Sequence, residues 1–410
     1  MKNWKFIGWF LLLLFLTSTD TILFGTNANR TMLLVPRILG AISCVLLPIY
    51  CGRRDDNSRI GTICIVMILI MFVSSIINED EMVTTISKII SVFTGFVIAK
   101  HIPYTLFAKQ LEKFLYFVSC IAIVVEIVSY VYPSLIMMMP TIENAAGTEY
   151  KTFFFGSLPV GFLSESLIRA NAVFWEAGAF ASYLIWILLI DLFYNENYNY
   201  KYVAVFLVSL LLTFSTTGYL TFVVVAVAYL INKKESDANY AKMRKRFKYS
   251  FIGLLLILVI SNGDAVYDLV FGKLGEGDEM SSSAQTRFSS LFNGFNAFLL
   301  NPIFGGGSNT EELMIQAMSL VGAKYGGGGA MLTNTFIANF VCFGIIFGSI
   351  FLVGSIKYAK RFSQKKIVRL LLVAAFLMAY SGERFFSFMP FVFMFYGFIP
   401  NYQKNENSFN

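Results

Sequence analysis

Apolar residues fall in runs long enough, or nearly long enough, to cross a bilayer at about 4–24, 32–50, 60–77, 83–99, 111–131, 171–193, 202–215, 217–231, 249–262, 333–356, 367–380 and 385–400. A helix needs roughly 20 apolar residues to span the hydrocarbon at about 1.5 Å rise each. The pattern predicts an all-α polytopic integral membrane protein with about 12 transmembrane helices. Two long polar connections remain, about 132–170 and 263–332. Loops of that length in a compact membrane protein usually carry function. No hydrophilic block is large enough for a separate soluble unit, so residues 1–410 read as one multi-spanning domain. The first apolar run lacks a small-x-small cleavage site and reads as an uncleaved first helix.

Composition agrees with this picture. The 410 residues are 57% apolar and only 14% charged, with a mean hydropathy of +0.66. The 43 Phe and 21 Tyr suit lipid-facing surfaces and interfacial belts. The net charge of +7 could suggest nucleic acid, but its distribution argues otherwise. With the N-terminus in the cytoplasm, most of the 32 Lys and Arg fall in cytoplasmic segments. Only Arg30, Lys151, Arg169, Lys273, Arg287, Lys324 and Arg384 fall outside, with Arg37 and Lys88 inside helices. The positive-inside rule then predicts both termini in the cytoplasm and both long loops outside. The basic run 242–248 becomes a topology determinant and headgroup contact rather than a nucleic-acid site.

The chemistry-bearing residues are few. The five cysteines lie in or beside predicted helices, so no disulfide framework is expected. His101, the only histidine, falls on the cytoplasmic side and reads as an interfacial surface residue. No HExxH, Asp-x-Asp or Cys/His zinc spacing occurs, and no metal or cofactor is called for. Within Arg169-Ala-Asn-Ala-Val-Phe-Trp-Glu176, the two charges are seven residues apart. On a helix they would share one face, about 10 Å apart along the axis. A carboxylate in hydrocarbon is costly, which makes Glu176 a candidate general base; a salt bridge to Arg169 is the structural alternative. Glu126 and Arg37 could form another structural pair.

Residues 281–300 carry apolar positions Phe288, Leu291, Phe292, Phe295, Phe298 and Leu299 at helical spacing behind a serine N-cap. They predict an amphipathic helix in the outer interface, with Arg287 in its first turn. A cation gains nothing from the dipole there, so an anionic partner or snorkelling must hold it. The glycines at 305–307 and 326–329 lack a P-loop ending and read as turns or a mobile cover. The hydroxyl-rich stretch Thr213-Phe-Ser-Thr-Thr-Gly218 should break a long apolar run into two short helices. Arginines bind phosphate oxygens bidentately and stay charged. This set fits glycosyl transfer from a polyprenyl-diphosphate donor, where the leaving diphosphate needs only charge stabilisation.

Four stretches resemble the O-antigen polymerase/ligase superfamily, particularly the Wzy-type polymerases. They are Arg169 to Phe180, the break at 213–219, Arg287 followed by Asn301-Pro-Ile-Phe-Gly-Gly-Gly307, and Thr333-Asn-Thr-Phe-Ile-Ala-Asn-Phe-Val-Cys-Phe-Gly344. Together they cover roughly 165–345, in the family's order. The resemblance implies that Arg169 and Arg287, with Arg384 as a third, contact the pyrophosphate of an undecaprenyl-diphosphate-linked oligosaccharide. It implies a bacterial cytoplasmic (inner) membrane location, with a chain-length regulator and a flippase as neighbours. Ligases of this superfamily open the helix after the large loop with a His-Asn pair, where this chain has Thr333-Asn334. That favours a polymerase of polysaccharide repeat units, inverting and metal-independent, and leaves the base unidentified, with Glu176 as the best candidate. O-antigen ligase and a flippase or transporter of lipid-linked oligosaccharide are the alternatives.

Overall fold

The computed structural model describes residues 4–51, 58–144, 147–153, 155–161, 168–194, 199–232, 249, 279–308, 310–320, 332–385 and 387–399. The helices are α1 (Trp4–Leu16), α2 (Arg30–Cys51), α3 (Ser58–Ile77), α4 (Met82–His101), α5 (Tyr104–Val131), the short α6 (Pro133–Met137), α7 (Ala177–Phe193), α8 (Tyr200–Leu212), α9 (Thr216–Ile231), α10 (Glu279–Leu300), α11 (Thr310–Leu320), α12 (Thr335–Lys360), α13 (Lys366–Ser381) and α14 (Met389–Phe398). By length and composition, α2, α3, α4, α5 and α12 can each cross a membrane, and six further apolar helices run 10–17 residues. The chain is therefore a multi-pass membrane protein. The span expected at 249–262 lies outside the described residues, apart from Tyr249.

One part of the all-α expectation needs correcting. The connection 132–170 holds a three-stranded antiparallel sheet, β1 (Thr141–Glu143), β2 (Glu149–Phe153) and β3 (Gly156–Pro159), in the order β1-β2-β3. Its first turn is closed locally. Asn144 takes Thr148 N on its side chain at 2.8 Å and Gly147 N on its carbonyl at 3.0 Å. Gly147 adopts φ +80 there, a conformation that glycine reaches without strain. The sheet is held to the bundle by Leu158, packed with Val125, Ile136 and Ile168.

The bundle is centred on α7. Every residue from Ala177 to Phe193 is buried, as expected for a helix apolar all round. Trp186 at its middle packs against Tyr380, Phe385 and Phe393, with ring centroids 5.1, 4.8 and 5.3 Å away. The break at 213–215 occurs as expected. Phe214 has φ +46, and Ser215 restarts the helix by accepting from Gly218 N at 3.2 Å.

The connection expected at 263–332 contains two helices, α10 (Glu279–Leu300), as expected over 281–300, and α11 (Thr310–Leu320). The helix α10 starts at Glu279, ahead of the serines expected to cap it. Its apolar residues Leu291, Phe292, Phe295 and Leu299 are exposed, while Ser290, Asn293 and Ala297 are buried. The small-residue face packs inward and the apolar face is left for a membrane, as an interfacial helix requires.

In α12, Gly344 leaves the helical region at φ +78 and ψ −174, kinking the helix. The segment 302–307 repairs the opened hydrogen bonds. Gly306 N donates to Val341 O at 2.7 Å, Gly307 N to Cys342 O at 3.1 Å, and Ile345 N to Pro302 O at 2.8 Å. A Cβ at Gly344 would overlap the Ile303 carbonyl, and one at Gly305 would overlap the Cys342 backbone. Gly344→Ala and Gly305→Ala should therefore each cost more than about 2 kcal/mol. Thermal unfolding in detergent should show both midpoints well below wild type. Gly61→Ala, which meets nothing within 4 Å, should be neutral or better.

Candidate functional site

Several polar connectors meet at one end of the bundle. The turn after α1 joins the strap before α7: Ile22 N donates to Val173 O at 2.9 Å, and Thr21 bridges Phe174. Asp20, fully buried, accepts from Tyr183 Oη at 2.6 Å and from Ser387 N at 3.2 Å. Thr335 Oγ1 donates to Glu383 O at 2.6 Å and accepts from Phe385 N at 3.1 Å. The turn between α3 and α4 joins the glycine segment, with Ser308 N donating to the Asp80 carboxylate at 2.8 and 2.9 Å.

Arg169 lies in the strap. Ile168 N donates to Tyr130 Oη at 3.0 Å, and Ala170 N to Leu212 O at 2.9 Å. The strap thus runs from the top of α5 to the break after α8. Half-buried, Arg169 lies within electrostatic reach of the Tyr219 hydroxyl, which itself donates to Leu211 O across the break.

The expected helical face shared by Arg169 and Glu176 does not exist. Residues 168–176 are not helical, Ala172 has φ +53, and its carbonyl accepts from Ser157 Oγ at 2.9 Å. Because strap backbone groups bond to other segments, no helix can form there. The helix begins at Ala177, with Glu176 extended at the N-cap and its side chain making no cap bond. Glu176 sits instead beside the sheet. Tyr150 Oη donates to Trp175 O at 2.9 Å. Burial, with a smaller contribution from the Glu176 carboxylate, pushes the Tyr150 phenol up to about 12.

Arg384 lies in the connector between α13 and α14. It donates to Thr310 Oγ1 at 3.3 Å and reaches Cys342 Sγ at 3.5 Å. Arg287 lies in α10, three residues before Ser290, and its side chain falls outside the described residues. Ser290 Oγ accepts from Thr333 N at 2.9 Å, so α10 abuts the start of α12. There Asn334 caps the helix, accepting from Phe336 N at 2.9 Å and Ile337 N at 3.1 Å. The strap and the Arg384 connector are linked through the break, since Gly382 lies against Thr217 and Ser182.

Two other expectations need correcting. His101 is buried, only 8% exposed, because the end of α4 is packed under α14. Tyr396 Oη donates to the neighbouring Ile102 O at 3.0 Å. Arg37 and Glu126 do not pair. Arg37 Nε donates to Ser87 Oγ at 2.9 Å, while both Glu126 carboxylate oxygens are buried without a hydrogen-bond partner. Sequence reasoning also passed over two groups at the polar end. Asp20 had a signal, a carboxylate closing an apolar run. Lys88 had only its place inside an apolar helix. It donates to Ser308 Oγ at 2.9 Å and lies over the Phe343 ring, 5.3 Å from its centroid.

The break, the amphipathic helix, the glycine segment and the capped start of α12 all lie within a stretch that matches a family model. Residues 202–353 match the model of the O-antigen ligase family. The match supports the O-antigen ligase/polymerase superfamily, whose members are glycosyltransferase-like membrane enzymes of polysaccharide biosynthesis acting on lipid-linked oligosaccharides. It does not separate ligase from polymerase. Arg287 and Thr333 fall inside the O-antigen ligase match, while Arg169, Glu176 and Arg384 lie outside it. No curated protein and no solved structure matches the chain.

The raised Tyr150 phenol gives a pH test. A group that holds its proton more tightly when folded adds stability below its unfolded value near 10, and loses it as pH rises toward its folded value. Between about pH 10 and 12, wild type should therefore lose stability more steeply than Tyr150→Phe. Unfolding midpoints measured at pH 9 and pH 11.5 check the difference; parallel losses would discount the Tyr150 contribution.

Proposed function

We propose that this chain polymerises polysaccharide repeat units on the outer face of the bacterial cytoplasmic membrane. A growing glycan leaves undecaprenyl diphosphate and joins a new lipid-linked repeat unit. The hydroxyl oxygen of the acceptor sugar attacks the anomeric carbon, and the carbon–oxygen bond to diphosphate breaks with its electron pair. The proton of the hydroxyl passes to Glu176. Arg169, Arg287 and Arg384 contact diphosphate oxygens and stabilise their developing charge. The step is a direct, inverting displacement that uses no metal.

The observation that carries the choice of polymerase is the position of the single histidine. His101 ends α4, while Asp80, Ser308 and Arg384 cluster near its start. A 20-residue helix is about 30 Å long. A ligase-type histidine is thus missing from the arginine end, and Thr333 stands at the position the resemblance assigns to it. Among the described residues, Lys100 lies in the last turn of α4 beside His101, Lys357 and Lys360 lie in the last turn of α12, and Arg361 donates to Tyr396 O and Gly397 O at 3.0 and 2.9 Å. This supports an orientation with that end, and both termini, in the cytoplasm.

The family's description favours ligase as the second reading. Purified protein supplied only with a lipid-linked repeat unit separates the two. A ladder of multiples is expected without lipid A; product formed only when lipid A is added would identify a ligase. Arg169→Ala should abolish long chains, a rate loss of roughly 10²-fold or more, at unchanged protein level. Glu176→Gln should slow elongation by a similar order. Full activity of Glu176→Gln would remove it as the base.

A further inference from the structure

Arg37 is a cation set within a membrane span. It lies in α2, roughly 10 Å from the start of that helix at about 1.5 Å per residue, and α2 is long and apolar enough to cross the membrane. The side chain is half-buried. Among the described residues its one hydrogen bond runs from Nε to Ser87 Oγ of α4 at 2.9 Å, and it has no carboxylate partner. A guanidinium cannot shed its charge. A charge held at such a depth has to be met by a counter-ion.

Beside Arg37 lies a cavity of about 20 Å³ between the end of α1, α2 and α4. Room of roughly 10–15 Å³ holds one water, so the cavity takes a single particle of about that size. No carboxylate lines it. Asp20, the next residue after Thr19, turns instead to Tyr183 Oη and Ser387 N, and Ser18 Oγ accepts from Asp20 N at 3.3 Å. Three lining hydroxyls donate to carbonyls: Thr17 to Leu13 O at 2.7 Å, Ser91 to Ser87 O at 3.3 Å and Thr94 to Gly40 O at 3.3 Å. Two others keep their hydrogens. Thr19 Oγ1 is buried without a hydrogen-bond partner, and Ser87 Oγ, among the described residues, accepts from Arg37 and donates to nothing. The donors left to the cavity are the Arg37 Nη groups and two hydroxyls. A positive charge with O–H donors beside it rejects a metal cation and selects an anion.

We propose that Arg37, with the hydroxyls of Thr19 and Ser87, binds one monatomic anion of the halide class. Sulfate, phosphate and a lipid headgroup are too large for the cavity. A water would satisfy the hydroxyls and leave the charge unmet. The ion bridges the end of α1 to α2 and α4. It thereby ties α2 to the bundle where Gly40 lets the two helices approach, since a Cβ there would meet Ile90 and Thr94. Arg169, Glu176 and Arg384 do not line the cavity, and the site does not rest on the polymerase reading.

Equilibrium dialysis with radiolabelled chloride, on the full chain in phosphatidylcholine nanodiscs and gluconate buffer, tests this. Wild type should bind one equivalent, displaced by bromide and not by sulfate. Arg37→Leu should weaken binding by about tenfold or more. Thr19→Val, which exchanges an unpartnered hydroxyl for a methyl group, should weaken it by about fivefold. Unfolding midpoints give a second readout. Without chloride, Thr19→Val should be at least as stable as wild type, since no hydrogen bond is lost. With chloride in large excess over its dissociation constant, wild type should rise by about 2 °C or more and both variants by less. If Arg37→Leu does not fold, Thr19→Val carries the test alone. Absence of chloride binding by wild type, or identical binding and midpoint shifts in wild type and Thr19→Val, overturns the site and leaves a cavity for water. Sulfate competing as well as bromide overturns it too, because the cavity would then not set the size of the ion. In a second arm, phosphatidylglycerol is added to the nanodiscs; displacement of chloride by that lipid identifies a headgroup site and overturns the halide proposal. A failed ladder assay would leave chloride binding as it is, so the two readings fail separately.

Discussion

Peptide groups in hydrocarbon have no water to bond with, so any interruption of a helix must be closed by another part of the chain. The pairing of the opened turn of α12 with the 302–307 segment meets that requirement. Three backbone bonds cross from segment to helix. From α3, the Ser74 side chain donates its Oγ hydroxyl to Cys342 O at 3.0 Å, and beyond the helix Asn78 Nδ2 donates to Gly305 O at 3.2 Å. The kink therefore fixes α3, the glycine turn and α12 together. It also sets Ser308 and Thr310 where Lys88 and Arg384 meet them.

The same economy governs the strap before α7. Its amides are taken by the top of α5, the turn after α1 and the end of α8. Arg169 is carried at the junction of elements far apart in sequence, and the bonds of its neighbours Ile168 and Ala170 fix its backbone there. Asp20, Tyr183 and Ser387 lock the neighbouring connector from below. Asp20, Asp80, Lys88, Arg169 and Arg384 thus lie at one end of the apolar bundle, and tyrosines pack at the other, beside the basic last turns of α4 and α12. Tyr104 Oη and Tyr358 Oη lie 2.7 Å apart there.

Much of this was legible in the sequence where the pattern was long and regular. The apolar runs that fall within the described residues contain helices, the 213–218 stretch became a break, and Asn334 became a cap. The pairing of Arg169 with Glu176 on one helical face was not legible. Spacing of seven implies a shared face only if the backbone is helical throughout, and the strap's amides bond elsewhere. The sheet was hidden for a related reason: its strands are 3–5 residues long, too short for alternation to stand out. Lys88 carried only its place inside an apolar helix as a signal, since its hydrogen-bond partner Ser308 lies 220 residues away.

By itself, the sequence determined the class of solvent, the periodicity of the helices and the asymmetry of basic residues between loops. Those depend on local composition, which acts wherever the chain happens to be. The tertiary structure alone decided which polar groups share a site. That choice depends on which backbone groups remain unsatisfied after each helix closes its own bonds. In this protein they are satisfied by segments remote in sequence, which bring Arg384 to Lys88 and hold Arg169 between α5 and α8.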